Sequence, residues 1–381
     1  MHLTKQEERM LDGEYEWANQ ISMKILVRLG DLFGATRLIP IESAHISGVS
    51  YKHLGDAAIE FLNELAAKGG KAETLATLNP SRLDQIVLSK CYSKERRDKQ
   101  NEVIRLYEKM HIQPTLTCTP YYIQAPKAGQ HLAWAESSAV IYANSVLKAW
   151  TNRDGAPSAL AAALVGKTPN YGVHKPENRQ PTVLVKLEAK LQTETDYGAL
   201  GIHLGKLLRD KIPSFDRLIG SDDELKQLGA AMASSGMTTI FYTEELGKQR
   251  SNEIISVETN DIKNTSSALC TSNQKPDLVF IGCPHCSINE LKSVATALEG
   301  KRVRKDTELW TCTSRHLKER AKNYVDIIEH AGGHVLCDTC VLVTWIKDLG
   351  MDTIMTNSAK TAFYTPTLNE TKATLAPMKQ C

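Results

Sequence analysis

The sequence predicts an α/β fold with mostly parallel sheets. Short apolar runs such as "TVLVKLEAKL" and "DLVFIGCPHC" alternate with amphipathic segments of helical length, the pattern of strands covered by helices. No internal repeat or long low-complexity tract interrupts that alternation. A chain of 381 residues also has room for two or three domains and a large core.

The elements follow in order. "TKQEERML" opens with a capping box, Thr4 with Glu7. Ile21, Ile25, Leu29 and Phe33 continue an apolar helical stripe. "RLIPIESAHIS" reads as one strand entering a loop, and "LGDAAIEFLNELAAKGG" as a helix stopped by Gly69 and Gly70. "AETLATLNPS" and "PTLTCTPYY" read as strands, the second ending at a cysteine; between them "KERRDKQNEVIRLYEKM" reads as a charged surface helix. "ESSAVIYANSVLKAW" is mostly apolar and therefore a buried helix. "SALAAALVG" is a close-packed helix of small residues. The Pro-, Gly- and Asn-rich "KTPNYGVHKPENRQP" is the hinge candidate. Residues 1–170 are thus expected to form an N-terminal α/β region and 171–381 a C-terminal one. In the second region "TVLVKLEAKL" and "TTIFYTEE" read as strands, "YGALGIHLGKLLRDKI" and "SDDELKQLGAAMASSG" as helices, and "NTSSALCTSNQKP" as a polar linker. The strand–helix alternation then continues through "DLVFIGCPHC", "TELWTCTS", "HVLCDTC", "DTIMTNS" and "AKTAFY".

Composition narrows the function. The 46 basic residues nearly balance the 44 acidic ones, which argues against a nucleic-acid or membrane surface. The charged, helix-like "MHLTKQEERMLDGEYEW" is not read as a signal peptide, and no run of roughly 18 apolar residues suggests a membrane span. A cytoplasmic location is expected. Nine cysteines in such a chain point to reduced thiols or metal ligands rather than disulfides.

Apolar runs end at Cys118, Cys283, Cys312 and the pair Cys337 and Cys340. In open α/β sheets ligands bind beyond the carboxyl ends of the strands, so cysteines from distant segments can converge there. A zinc site would need Cys283, Cys286, Cys337 and Cys340 in one tetrahedron, with a long gap between the pairs for a ribbon. A thioredoxin-type motif would open a helix in a small separate domain. An iron–sulfur cluster fits better, because sequence separation is irrelevant once loops converge. Three cysteine ligands leave one iron free as a Lewis acid, which points to removal of water rather than electron transfer.

Several stretches carry a resemblance to a known family: "RLIPIESAHISGVSYKHLGDAAIEFL", "TLNPSRLD", "TCTPYY", "HLAWAESSAVIYANSVLKAWTNRDGAPSALAAALVGKTPNYG", "IGCPHCS" and "DTCVLV…TNSAKTAFY". Through these the chain resembles the aconitase X family over almost its whole length. The resemblance implies an aconitase-like multi-domain architecture around a central iron–sulfur site. It implies a 4Fe–4S cluster with one ligand from each of three motifs: Cys118, Cys283 and Cys340. Cys286 and Cys337 are then small buried neighbours, and Cys91, Cys270, Cys312 and Cys381 buried or free thiols, with Cys312 the exception to watch because it ends a strand.

The family's pocket maps onto further motifs. "SGVS" by itself is an ordinary strand-to-helix turn whose N–H groups can cradle an anion; the resemblance makes Gly48, Val49 and Ser50 substrate contacts. A lone Asn-Pro is usually a turn; Asn79 and Pro80 become a pocket wall. Glu136 suits a helix cap, and the family gives it and Ser137 a substrate role. Lys360, by default a solvated lysine, becomes a cation for a carboxylate or phosphate. Arg153 is a weaker anion-binding candidate. His45, His131 and His285 are assigned no role. Within the family the chain looks like the branch dehydrating (R)-5-phosphomevalonate to trans-anhydromevalonate 5-phosphate in an archaeal mevalonate route. Dehydration of cis-3-hydroxy-L-proline is the alternative, and a zinc-stabilised structural or RNA-binding protein the non-enzymatic one. The chain ends at Cys381 without the small domain fused in some relatives. A separate small subunit is therefore the expected partner, and the resemblance assigns it the catalytic base.

Overall fold

The computed structural model describes residues 1–81, 83–84, 92–244 and 253–381; Cys91 lies outside them. The chain separates into two compact units. Unit 1 runs from Met1 to Leu83 and resumes with the described residues up to Gln180. Unit 2 holds Asp84 and Pro181–Cys381.

In unit 1, α1 (Lys5–Asp12) starts at the predicted capping box. Thr4 Oγ1 accepts from the Glu7 N–H at 3.3 Å, and the Glu7 carboxylate accepts from the Thr4 N–H at 2.7 Å. α2 (Trp17–Leu32) turns Ala18, Ser22, Met23, Leu26 and Gly30 inward. The predicted stripe is rotated off the core: Ile21, Ile25 and Leu29 are half-buried, and Phe33, just past the helix, is exposed and stacks on Tyr171. "RLIPIESAHIS" forms two strands rather than one, β1 (Leu38–Pro40) and β2 (Ser43–Ile46). Next come α3 (Tyr51–Ala67), kinked at Gly55, β3 (Leu75–Leu78) and α4 (Lys94–Lys109). α4 is not only a surface helix, since Val103, Ile104, Leu106 and Tyr107 are buried. β4 (Leu132–Trp134), the buried α5 (Ser137–Ser145), α6 (Ala156–Val165) and β5 (Lys167–Pro169) complete the unit. β1 pairs antiparallel with β5, whereas β3, β2 and β4 form a parallel sheet in that order.

"PTLTCTPYY" is not a strand. It is a loop hung on β3, with Gln113 N donating to Ala76 O at 2.9 Å and Thr117 N to Leu78 O at 3.1 Å. Leu116 at φ 46° breaks any strand, and Pro120–Tyr122 makes a 3-10 turn. Cys118 therefore lies in a loop. The core of the unit packs α2, α3, α4 and α6 around the sheet, through Met23, Leu26, Leu62, Val103, Met110 and Leu164.

Unit 2 opens with β6 (Val183–Leu187), α7 (Glu194–Leu208), β7 (Pro213–Phe215), α8 (Asp222–Ser235) and β8 (Glu253–Val257). β7, β6 and β8 form a parallel sheet. Among its described residues "TTIFYTEE" contributes only bridges, of Tyr242 to Ser214 and Glu244 to Arg217, and no strand. The predicted linker "NTSSALCTSNQKP" begins inside a helix, α9 (Thr259–Leu269). There follow β9 (Leu278–Ile281), α10 (Ile288–Leu298), β10 (Glu308–Cys312), α11 (Arg315–Arg320), α12 (Lys322–His330), β11 (His334–Leu336), β12 (Thr353–Thr356), α13 (Ala359–Leu368) and β13 (Lys372–Leu375). The second sheet is fully parallel, in the order β11-β10-β9-β12-β13. Chain direction of travel reverses between β9 and β12, the position where open α/β sheets bind ligands. No helix among the described residues is long and apolar enough to cross a membrane.

Candidate active site

In unit 1 the parallel sheet sets three motifs side by side. Ile46 pairs with Leu78 and His45 with Trp134, so the loops after β2, β3 and β4 leave the same edge. These carry Gly48–Val49–Ser50, Asn79–Pro80 and Glu136–Ser137. Gly48 sits at φ 73°, and a Cβ there would lie 3.0 Å from Ala156 Cβ; both facts favour glycine. Gln100, itself buried, pins the turn by accepting from Tyr51 N and donating to Val49 O, each at 2.9 Å. The Ser50 hydroxyl is buried and has no hydrogen-bond partner among the described residues, an unusual state for a polar atom in a finished core.

Asn79 and Glu136 are joined directly. Asn79 Nδ2 donates to Glu136 Oε2 at 2.9 Å, and Ser138 Oγ donates to Oε1 at 2.9 Å. Glu136 is also the N-cap of α5, so capping and site geometry use the same carboxylate. Beneath it His45 is fully buried. Its Nε2 donates to Asn79 Oδ1 at 3.4 Å, which leaves Nδ1 to accept from Thr77 Oγ1 at 2.8 Å. Burial pushes the His45 pKa down to about 4, against the pull of Glu136, so the ring is neutral and props Asn79. Ser137 begins α5 half-buried, Arg153 is half-buried beyond it, and Cys118 is buried on its loop. His131 lies elsewhere in the unit, Nδ1 to Nδ1 with His174 at 2.9 Å.

In unit 2 the loops after β9 and β11 carry Cys283 and Cys337 with Cys340, Cys312 is the last residue of β10, and Lys360 stands in the first turn of α13, after β12. Gly282 stands at φ 120°, and a Cβ there would meet the Cys312 carbonyl oxygen at 2.4 Å. The Cys283 loop can approach β10 only with glycine at that position. Cys286 N donates to Cys312 O at 2.8 Å, and Thr313 Oγ1 donates to Cys286 O at 2.8 Å. His285 Nε2 donates to Thr339 O at 2.9 Å, tying this loop to the one bearing Cys340. Asp338 holds a left-handed backbone, φ 64°, while its carboxylate receives the Arg315 guanidinium as a fork. Asp84, the last residue of "SRLD", accepts from Cys337 N at 3.0 Å.

Three of these thiols, Cys312, Cys337 and Cys340, are held in the protonated form. Burial, then the neighbouring Cys283, pushes Cys340 up to about 12, while the Val343 and Leu342 amides and Lys360 act the other way. Burial likewise lifts Cys337 to about 12 and raises Cys312. A metal must displace those protons, and the amides and Lys360 around Cys340 favour the thiolate that results. Lys360 is buried near the start of α13 and adjoins Cys340. Among the described residues no three His, Cys, Asp or Glu side chains group as a ready site for a metal ion.

Asp84 and Lys226 were not singled out by sequence reasoning, and His45 was named there without a role. Asp84 had a signal, its place in a matched motif; His45 and Lys226, a lysine with no exposed surface on α8, owe their surroundings to long-range packing.

Family models for the first, second and third domains of aconitase X match residues 1–177, 181–267 and 276–381. The chain is 45% identical to the phosphomevalonate dehydratase large subunit of Methanocaldococcus jannaschii, over 96% of this chain and 95% of that one. The crystal structure of Thermococcus kodakaraensis aconitase X in its holo-form superposes with a TM-score of 0.93 at 43% identity, covering 100% of this chain and 98% of that one. A cis-3-hydroxy-L-proline dehydratase of Pseudomonas aeruginosa is more distant, at 30% identity over 98% of this chain and 68% of that one. Motifs, sheet order and near-complete coverage agree: the chain belongs to the aconitase X family.

Proposed function

We propose that the chain is the large subunit of a hydro-lyase that dehydrates (R)-5-phosphomevalonate to trans-anhydromevalonate 5-phosphate, in a mevalonate route of the archaeal type and in the cytoplasm. The observation that carries this is the 45% identity, end to end, to a phosphomevalonate dehydratase large subunit, against 30% to the hydroxyproline enzyme. Cys118, Cys283 and Cys340 hold an iron–sulfur cluster, of the 4Fe–4S type. The donor set suits it: buried thiols, two amides at Cys340 and a nearby lysine. Around a cluster the thiolates are spaced by its own iron and sulfide, so they need not group as the ligands of one ion do. When bound, such a cluster supplies a Lewis acid for a departing hydroxyl.

The chain's own residues do the rest. The Gly48–Val49–Ser50 turn offers N–H groups and the unpartnered Ser50 hydroxyl to a phosphate. Glu136, held by Asn79 and Ser138, gives the substrate hydroxyl a fixed acceptor, with Pro80 and Ser137 beside it. Lys360 supplies the cation for a carboxylate, with Arg153 in reserve. A small-subunit partner contributes the base that takes the proton next to the carboxylate. Glu136 would equally accept a ring ammonium, which keeps cis-3-hydroxyproline as the second reading. The test is to combine the chain with its small subunit, load iron and sulfide anaerobically, and assay both substrates. Turnover of phosphomevalonate is expected; turnover of hydroxyproline alone overturns the substrate, and one zinc with no iron overturns the chemistry.

A further inference from the structure

Lys226 on α8 has no exposed side-chain surface. Its ammonium bonds Glu290 of α10, lies 3.3 Å from Asp223, and donates to the main-chain carbonyl of His285 at 3.3 Å. The carboxylates are in turn fixed: Asp223 accepts from Ser287 Oγ at 2.8 Å, and Glu290 from Ser287 N at 2.8 Å. A buried ion pair of this kind costs desolvation that an apolar side chain of equal volume avoids. What the ammonium adds, and an apolar chain cannot, is a bond to the His285 carbonyl. His285 lies two residues past Cys283, and its ring donates to Thr339, the residue before Cys340.

We infer that Lys226 is a positioning residue: through the His285 carbonyl it fixes the Cys283 loop and, by the His285–Thr339 bond, the spacing of Cys283 from Cys340. The inference rests on the reading of those two cysteines as cluster ligands. Loss of an outer partner of a metal ligand typically weakens metal binding on the order of 10–100-fold. Removing Lys226 is expected to loosen the cluster by that factor without unfolding the chain, once Glu290, the more buried of its two carboxylate partners, is also neutralised.

The experiment compares the full chain, Lys226→Met and Lys226→Met/Glu290→Gln, each loaded with iron and sulfide anaerobically. Melting temperature reports the fold. Iron and sulfide content, the bleaching rate of the iron–sulfur absorption under a chelator, and the electron paramagnetic resonance of the reduced cluster report the site. If Lys226→Met does not fold, the double variant, freed of the unpaired Glu290 charge, carries the comparison. The expected double variant melts near the wild type, bleaches on the order of 10–100 times faster and has an altered resonance. A double variant with wild-type bleaching and resonance overturns the inference and makes Lys226 a merely structural cation. Failure of the underlying reading has a different signature: a wild-type chain that takes up no iron and sulfide, or a Cys283→Ala variant that keeps the absorption, removes both together.

Discussion

Cys283, Cys286, Cys312, Cys337 and Cys340 are all buried in unit 2, so burial alone does not distinguish ligand from neighbour. What differs is the surroundings: Cys286 and Cys312 are locked together by one main-chain bond and the Thr313 hydroxyl, whereas Cys340 has amide donors and Lys360 at its sulfur. Cys118→Ala, Cys283→Ala and Cys340→Ala should each abolish iron–sulfur absorption, while Cys286→Ala and Cys337→Ala retain it; survival of the band in Cys283→Ala but not Cys286→Ala would exchange those assignments. Asp154 makes a second prediction at this scale. Its carboxyl is buried, Oδ2 has no partner among the described residues, and Ser158 donates to Oδ1 at 3.1 Å. Burial lifts its pKa to about 7. Between the unfolded value, about 4, and 7 the folded chain holds the extra proton, so this group's contribution to stability falls as pH rises through that window and levels off above it. Asp154→Asn should remove the fall. Its melting temperature should gain on the wild type between about pH 4 and about pH 8, by an amount equivalent to a few kcal/mol at most; a pH-independent difference would refute the account.

At the scale of elements, each candidate residue other than Cys118 and Arg153 stands one to four positions past a parallel strand or at the first turn of the helix that follows. The reason is geometric. Parallel strands all end on one edge, and their loops are where side chains are free of the pairing ladder. Gly282 shows how tight that edge is. Gly282→Ala must push a Cβ into the Cys312 carbonyl and hold a left-handed backbone. We expect a loss on the order of 1–3 kcal/mol, read as a lower urea midpoint, together with loss of iron uptake. Unchanged uptake and midpoint would mean that the β9 and β10 loops do not need this approach.

At the scale of the whole molecule, the units have cores of their own: one around Leu26, Leu62 and Val103, the others around Leu291, Val294 and Ile328 and around Ile202, Ala231 and Ala362. The net charge of +2 suits a small-molecule enzyme better than a polyanion binder. Under the proposed function the chain by itself lacks the base. Purified alone it should bind iron and sulfide yet turn over phosphomevalonate far below a typical enzymatic rate, on the order of 1–10³ per second, and adding the small subunit should restore turnover. Full activity of the chain alone would remove the need for that partner.

The sequence by itself determined the α/β class, the capping box at Thr4 and the placing of Asn79, Glu136, Cys283 and Lys360 beside strand ends, because these depend on local periodicity and turn chemistry. Its motifs were also sufficient to indicate the family. Tertiary structure decided what depends on a distant partner. Pro40 ends an antiparallel pair with β5, which splits "RLIPIESAHI" into two strands. "TTIFY", apolar enough for a strand, makes only bridges, while "NTSSAL", polar enough for a linker, completes α9. Asn79 meets Glu136, separated by 57 positions, only because β3 and β4 flank β2 in register. Lys226 is buried because α8 packs it against Glu290 and the His285 carbonyl, 64 and 59 positions away. Periodicity reports the preference of a segment for a shape; the burial of a charge and the pairing of an edge are settled by whichever distant groups satisfy them.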